Sequence, residues 1–492
     1  CTSERGGWMD GRCPHMRSPP ITSPPMRSPP MRSPSHEESP HIKQDKTDRL
    51  RRGGKEPVYY HSYLQLDQLL SSTRLLSAPA NSDDATLAEQ NLQGAHDEHL
   101  FIIIHQTYEL WFKQILWELD SVVVLFDADC IPEASVGLAT GRLHRVSEIL
   151  RILVDQLTVL ETMSPMMFLD FRDHLFPASG FQSLQWRLIE NTLGLQRERR
   201  CTYGKEGQAY CSFLREEHAA AVEAAEAKPN LLGLVQRWLE RTPFLKYKAA
   251  LSATERRAAA AAAPAPTDAA HAAADSSGPD PEEFLYDFWE SYRLAIERTA
   301  AADTAFIASR AAEWRHAADA VAASGGAGAE EKEKRDSTSA AAAAAWRDAQ
   351  LKEVAERKAH YDALIDKGTY EEMVAAGRFK FSHRAMQAAL LVNLYQDEPI
   401  LNQAFRFLQK LMDIDELMTQ WRHRHALMVH RMLGVKMGTG GSSGFSYLME
   451  ASAKHRVFTD LFHLSTYLIP RSELPPLPNS VRAGMAFRHE SA

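Results

Sequence analysis

The stretch WRHRHALMVHRMLGVKMGTGGSSG, residues 421–444, places His423, His425 and His430 close together and then enters a glycine-rich segment. On a helical wheel advancing about 100° per residue, His425 sits at the centre of a stripe formed by Met418, Trp421, Met428, Val429 and Met432, all within about 60° of it. His423 and His430 point away, at about 160° and 140°. A zinc site built on one helix needs imidazoles three or four positions apart on one face, as in HExxH, and this helix has no such pair. One imidazole in an apolar stripe leaves two readings. It is a core histidine satisfied by a backbone carbonyl, or it is the single nitrogen donor that a flat apolar cofactor such as haem requires. The glycine segment MGTGGSSG lacks the GK[ST] ending of a phosphate-binding loop, has GxGxxxG spacing, and follows a helix instead of a strand. It still offers Thr439, Ser442, Ser443 and uncrowded backbone N–H groups to a small ligand.

Two further segments carry polar groups on apolar faces. In HDEHLFIIIHQTYELWFKQILWELDSV, residues 96–122, the face centred on His105 bears Phe101, Ile102, Tyr108, Phe112, Leu116 and Leu119, interrupted by Glu98 and Glu109. His96 and His99 lack a metal-motif order and read as helix-start residues. In SPMMFLDFRDHLFPASGFQSLQ, Ser164-Pro165 signals a helix start, and Arg172 falls among Pro165, Phe168, Leu169, Leu175 and Phe176. A guanidinium there needs an anion. Either a buried carboxylate of the protein or the carboxylate of a small substrate fits its planar fork.

These side chains require a scaffold of long helices, and the 492 residues supply one. The chain is 44% apolar and 24% charged, enough for one large domain or a few smaller ones. Its helical apolar spacing, with almost no alternating pattern, predicts an all-α fold. A formal charge of −8 argues against a nucleic-acid or anionic-membrane partner. No window approaches about 18 uninterrupted apolar residues, so no transmembrane span is expected. The five cysteines, Cys1, Cys13, Cys130, Cys201 and Cys211, form no CxxC pair, and a reducing, cytoplasmic compartment fits them. Residues 1–56 read as a Ser/Pro-rich disordered tail, built around the repeat at 16–35 in which Ser18, Ser23, Ser28 and Ser33 each precede proline. A helical body is expected over 57–475, with flexible alanine-rich insertions at about 252–280 and 318–345, and a short tail at 476–492.

The blocks YHSYLQLDQLL, HDEHLFIIIHQTYELWFKQILWELDSV, FRDHLFPASGFQSLQWRLIE, LMDIDELMTQWRHRHALMVHRMLG, GTGGSSGFSYL and FTDLFHLSTYLIPR resemble tryptophan 2,3-dioxygenases. The likeness covers roughly residues 58–190, 231–245 and 346–471, in the family's order. It implies a cytosolic helical homotetramer using haem b and O2 to open the indole ring of L-tryptophan, giving N-formyl-L-kynurenine at the entry to the kynurenine pathway. Carried over by position, the axial ligand falls on His425, and Ser179 and Gly180 line the haem side. The histidine facing the indole N–H falls on His105, with Phe101 packed beside the ring. Arg172 matches the group that grips the substrate carboxylate, and Thr439 the hydroxyl near its ammonium. Phe168 stands where some members have tyrosine, so a phenolic contact would be missing, and His61 stands where glycine is frequent. Tyr60 and Tyr63 match residues that close a neighbouring subunit's pocket. Two other classes remain as alternatives. A non-catalytic haem-binding sensor would keep His425 without needing His105, Arg172 and Thr439 together, and a helical scaffold would need none of them.

Overall fold

A computed structural model of the chain describes residues 58–78, 91–201, 211, 214–242, 288–324, 329–434, 436, 444–477 and 482. The expected tail at 1–56, the expected insertion at 252–280, Thr439 and most of 476–492 lie outside them. Among the described residues every regular element is a helix, as the apolar spacing predicts. Residues 58–72 belong to one unit, carrying the short helices Tyr60–Tyr63 and Leu66–Leu70 with no buried side chain. Everything that follows belongs to the second unit, which begins at Thr73.

Two long antiparallel helices make its frame: α1 (His96–Phe126) and α2 (Glu133–Leu160). Helix α1 buries Ile104, Tyr108, Phe112, Ile115, Leu119, Val122 and Phe126, and α2 buries Leu143, Val146, Leu150, Leu153, Leu157 and Leu160. Steps of three and four put each set on one stripe, and each side chain removed from water contributes about 1.5–3 kcal/mol. A short helix, α3 (Pro165–Arg172), starts where Ser164-Pro165 signals it: Ser164 Oγ accepts from Met167 N at 3.3 Å and Pro165 occupies the first turn. Helix α4 (Leu184–Leu193) is capped by Ser183 and packs on α1. It ends at Gly194 with φ +111°, where a Cβ would come within 2.6 Å of Leu232 Cβ, so only glycine permits the close approach of the next helices.

Helices α5 (Glu216–Glu226) and α6 (Leu231–Glu240) follow, and α6 packs against α10 (His383–Leu394). Between them, α7 (Phe288–Ser324) and α8 (Ala329–Ile365) form a hairpin and lead into α9 (Lys367–Ala375). Part of the segment read as an alanine-rich insertion at 318–345 is helix: α7 extends to Ser324 and α8 begins at Ala329. Alanine, glutamate and lysine, which dominate that segment, are strong helix formers.

The longest element at the site is α11 (Pro399–Leu433), which lies along α2 and against α12 (Gly444–Lys454). Its buried Asp415 accepts from Val457 N at 2.8 Å and Phe458 N at 3.3 Å, and Asp460 accepts from Lys380 N at 2.6 Å and Phe381 N at 2.7 Å. These bonds pin the chain after α12 onto the bundle, satisfying backbone groups that water cannot reach. No single helix among the described residues is long and apolar enough to cross a membrane.

Candidate active site

The helices α1, α2, α3, α4, α11 and α12 enclose a cavity of about 260 Å³. Helix α11 supplies Trp421, His425, Met428, Val429, Met432 and Leu433 to its wall, while His423 and His430 are exposed on the outer faces. The stripe centred on His425 is thus the cavity wall, and Met418 lies buried one turn earlier. His425 Nδ1 is buried without a hydrogen-bond partner. Burial, with a smaller contribution from the nearby His105, pushes the His425 pKa down to about 4, so the ring is neutral at pH 7 with a lone pair to give.

His105 faces this cavity from α1. Its Nδ1 lies 2.7 Å from the Phe101 carbonyl, which can only accept, so Nδ1 carries the proton and Nε2 is left as the acceptor. Burial lowers its pKa, with the Phe101 bond and the Glu109 charge opposing. The ring retains accessible surface, but it lies among the cavity walls, so it behaves as a dehydrated group and stays neutral. Phe101 packs against it at 4.2 Å, and Phe168 and Phe171 of α3 follow at 5.8 and 5.5 Å from Phe101. Below them Trp186 and Trp421 pack with their rings tilted, 4.4 Å apart, beside Phe112 and Tyr108. The Tyr108 hydroxyl donates to Leu153 O at 2.7 Å, and burial holds its pKa near 12.

The opposite wall is ionic, and the sequence reading missed it. Glu190, on α4, is 1% exposed. It pairs with Arg187 at 3.1 Å, with Arg422 of α11 at 2.9 Å, and with Arg200. Burial opposes its charge, but Arg200, a hydrogen bond with His455 and the charges of Arg187 and Arg422 outweigh that and hold its carboxyl well below the usual range. His455 Nε2 accepts from Cys201 N at 2.9 Å, which places the ring proton on Nδ1, 3.5 Å from Glu190 Oε1. Arg422 also donates to His455 O at 2.9 Å. Three guanidinium groups surround one carboxylate, so this side of the cavity is cationic, and Tyr447 of α12 lies beside it, 4.9 Å from Phe181. The signal was present in QWRLIE, where Glu190 falls on the apolar face made by Trp186, Ile189 and Leu193.

Of the residues singled out from the sequence, Phe101, His105, Phe168, Ser179, Gly180 and His425 line the cavity together. Ser179 caps a short turn by accepting from Phe181 N at 3.4 Å, and a Cβ on Gly180 would meet no atom within 4 Å, so that edge is open. Arg172 ends α3 one turn after Phe168, half-buried and outside the cavity lining. Thr439 lies outside the described residues, in the segment joining α11 to α12. Tyr60 and Tyr63 belong to the first unit and are 70% and 73% exposed.

The donor set distinguishes between occupants. Among the described residues no three His, Cys, Asp or Glu side chains converge as a metal-ion cage. A neutral imidazole whose Nδ1 is orphaned, in a largely aromatic and aliphatic chamber with a cationic edge, fits a planar apolar macrocycle carrying acidic substituents. The family model described as Tryptophan 2,3-dioxygenase matches residues 43–277 and 328–468. A tryptophan 2,3-dioxygenase from Bdellovibrio bacteriovorus is 39% identical over 433 residues, covering 88% of this chain and 99% of that protein. Those of Dictyostelium discoideum and Anopheles gambiae are 36% and 37% identical over 437 residues, covering 89% and 88% of this chain and 90% and 91% of their own lengths.

Proposed function

Because the chain belongs to the tryptophan 2,3-dioxygenase family, its reaction is the oxidation of tryptophan by dioxygen, and we propose that the cavity between His425 and His105 is where this happens. The observation that supports this reading is the pair of neutral imidazoles on facing walls, one offering an unused lone pair and the other a hydrogen-bond acceptor.

In this reading His425 holds haem b, Ser179 and Gly180 leave room at its edge, and the cationic wall of Arg187, with Tyr447 beside it, takes its carboxylates. When bound, the haem iron supplies the open position at which dioxygen is activated. The protein's own groups orient the second reactant. His105 Nε2 accepts from the indole N–H, which fixes the ring edge without removing its proton. Phe101 and Phe168 exclude water and keep an indole-shaped apolar space. Arg172 grips the amino-acid carboxylate through two parallel hydrogen bonds, with Thr439 near the ammonium. Both oxygen atoms enter the product as the C2–C3 bond breaks, giving N-formyl-L-kynurenine, so no reductant is consumed in each turnover. The active form is a cytoplasmic homotetramer in which Tyr60 and Tyr63 close a neighbour's pocket.

Reconstitution of the purified chain with haem, followed by L-tryptophan and then oxygen, tests the whole reading. The expected result is an absorption band of ligated haem, a shift of that band on tryptophan addition, and a product heavier than tryptophan by two oxygen atoms. A haem band with no product would favour a sensor, and no haem band would favour a scaffold.

A further inference from the structure

Helix α1 carries a second apolar stripe on the side away from the cavity. Ile103, Leu110, Trp117 and Val124 recur every seven residues and are 39%, 50%, 74% and 73% exposed. Helix α2 carries its own at the same interval: Leu138, Ile152 and Val159, about half exposed, with Arg145 completing the series. The bonds between the helices fix their register. Tyr108 reaches Leu153 O at 2.7 Å, Arg145 reaches Glu118 at 2.6 Å and Arg142 reaches Ser121 O at 3.2 Å. This antiparallel register sets Ile103 level with Val159, Leu110 with Ile152, Trp117 with Arg145, and Val124 with Leu138. Arg145 crosses the groove to Glu118, the neighbour of Trp117, so the two stripes adjoin. The product is a four-layered face on a helix pair.

A seven-residue repeat on paired helices is the seam of helix-on-helix packing. The seven apolar side chains leave on the order of 700 Å² accessible, more than the ~300–600 Å² of the largest patch on a typical monomer. It approaches the ~800 Å² per partner that a stable association buries. The flanking charges select the partner. Lys113 and Asp120, both exposed, stand four residues before and three after Trp117. Where α1 crosses its own copy antiparallel near Trp117, Lys113 of each copy lies beside Asp120 of the other, a pattern that complements itself under twofold symmetry.

We propose that this face of α1 and α2 packs against the same face of a second copy of this chain, with Trp117 near the twofold axis. The inference rests on the homo-oligomer reading above and gives it a location. On this arrangement the same helix presents His105 inward and Trp117 to its partner, so pocket and assembly share one rigid element.

Light scattering on the full haem-loaded chain tests it. Trp117→Glu is expected to weaken the association by at least ~30-fold, as loss of a central aromatic anchor does. Circular dichroism and the haem band should be unchanged, because Trp117 does not line the cavity. Lys113→Glu alone should weaken assembly, and Lys113→Glu with Asp120→Lys should restore it. This pair of surface variants decides the matter even if Trp117→Glu fails to fold. An oligomer that keeps its mass in Trp117→Glu, or charge reversals that do not compensate, overturns this face while leaving the homo-oligomer reading intact. A monomeric unaltered chain overturns both.

Discussion

Replacing Glu190 with glutamine preserves the shape of the ionic wall and removes the carboxylate at its centre. The side chains of Arg187, Arg200 and Arg422 are 6%, 2% and 4% exposed, so bulk water cannot screen them. Each charge pair at this separation is worth about 4 kcal/mol at an effective dielectric of 20. Repulsion among the guanidinium groups and the relief of no longer burying a carboxylate offset much of that sum. The net cost of breaking such a buried arrangement is about 3–5 kcal/mol. Urea unfolding of the haem-free chain, followed by fluorescence of Trp186 and Trp421 at the cavity, would measure it. The cost also has a pH signature. Glu190 has a folded pKa well below 4.5, so its contribution is full above the unfolded value and is lost as the pH falls through the folded one. The gap between the original chain and Glu190→Gln should be complete at pH 7 and should narrow in acid below about 4.5. A loss under about 1 kcal/mol, or a gap that does not change with acid, would refute the account of this wall.

His425→Ala should abolish stable haem binding in an absorbance titration, while His423→Ala and His430→Ala retain it; equal loss in all three would contradict the assignment of one wall to His425. His105→Ala should retain haem and lower turnover without eliminating it, and its activity towards 1-methyl-tryptophan should fall less than towards tryptophan, since that substrate has no N–H to orient. Arg172→Leu should raise the Michaelis constant for tryptophan with the haem band unchanged; an unaltered constant would remove Arg172 from the substrate's carboxylate. In the haem-free chain His425 has a pKa near 4 against 6.5, so the unfolded chain takes up the proton first. Stability should therefore fall by up to about 3 kcal/mol from pH 6.5 to 4, less where the cavity wets the ring, and His425→Phe should flatten that dependence in acid titrations of the unfolding midpoint.

The wall built by α11 was legible because one periodicity orders the whole helix: a side chain's angle about the axis decides whether it meets the cavity or solvent, and His425 differs from His423 and His430 in that alone. The Ser164-Pro165 start of α3 was equally local. The ionic wall was not legible as a unit. Arg187, Glu190, Arg200, Arg422 and His455 come together only through the packing of α4, α11 and the chain after α12, and no spacing in the sequence encodes that meeting. Each member announces only that a buried charge needs a partner. Around 318–345 composition and propensity point different ways, since alanine, glycine and serine in bulk resemble a linker while alanine, glutamate and lysine favour helix. Tyr60 and Tyr63 acquired roles through resemblance alone, whereas Arg172 and Thr439 stood out by residue type, as a guanidinium needing an anion and a hydroxyl in a glycine-rich segment, and resemblance supplied their partners.

Helices α7 and α8 have 37 residues each, about 55 Å of helix, and they pack mainly on one another. Phe288, Trp289 and Tyr292 bury the root of the hairpin, and Tyr292 donates from there to the Tyr467 carbonyl at 2.5 Å. Farther out, Trp314 and Trp346 lie 5.1 Å apart. No described residue of either helix lines the cavity. The outer hairpin can therefore open and close as its own cooperative unit, exchanging its amide hydrogens at a lower free energy than α1 or α11. The described part of this hairpin stands apart from the cavity wall, so a change in its outer turns reaches the site only through its root.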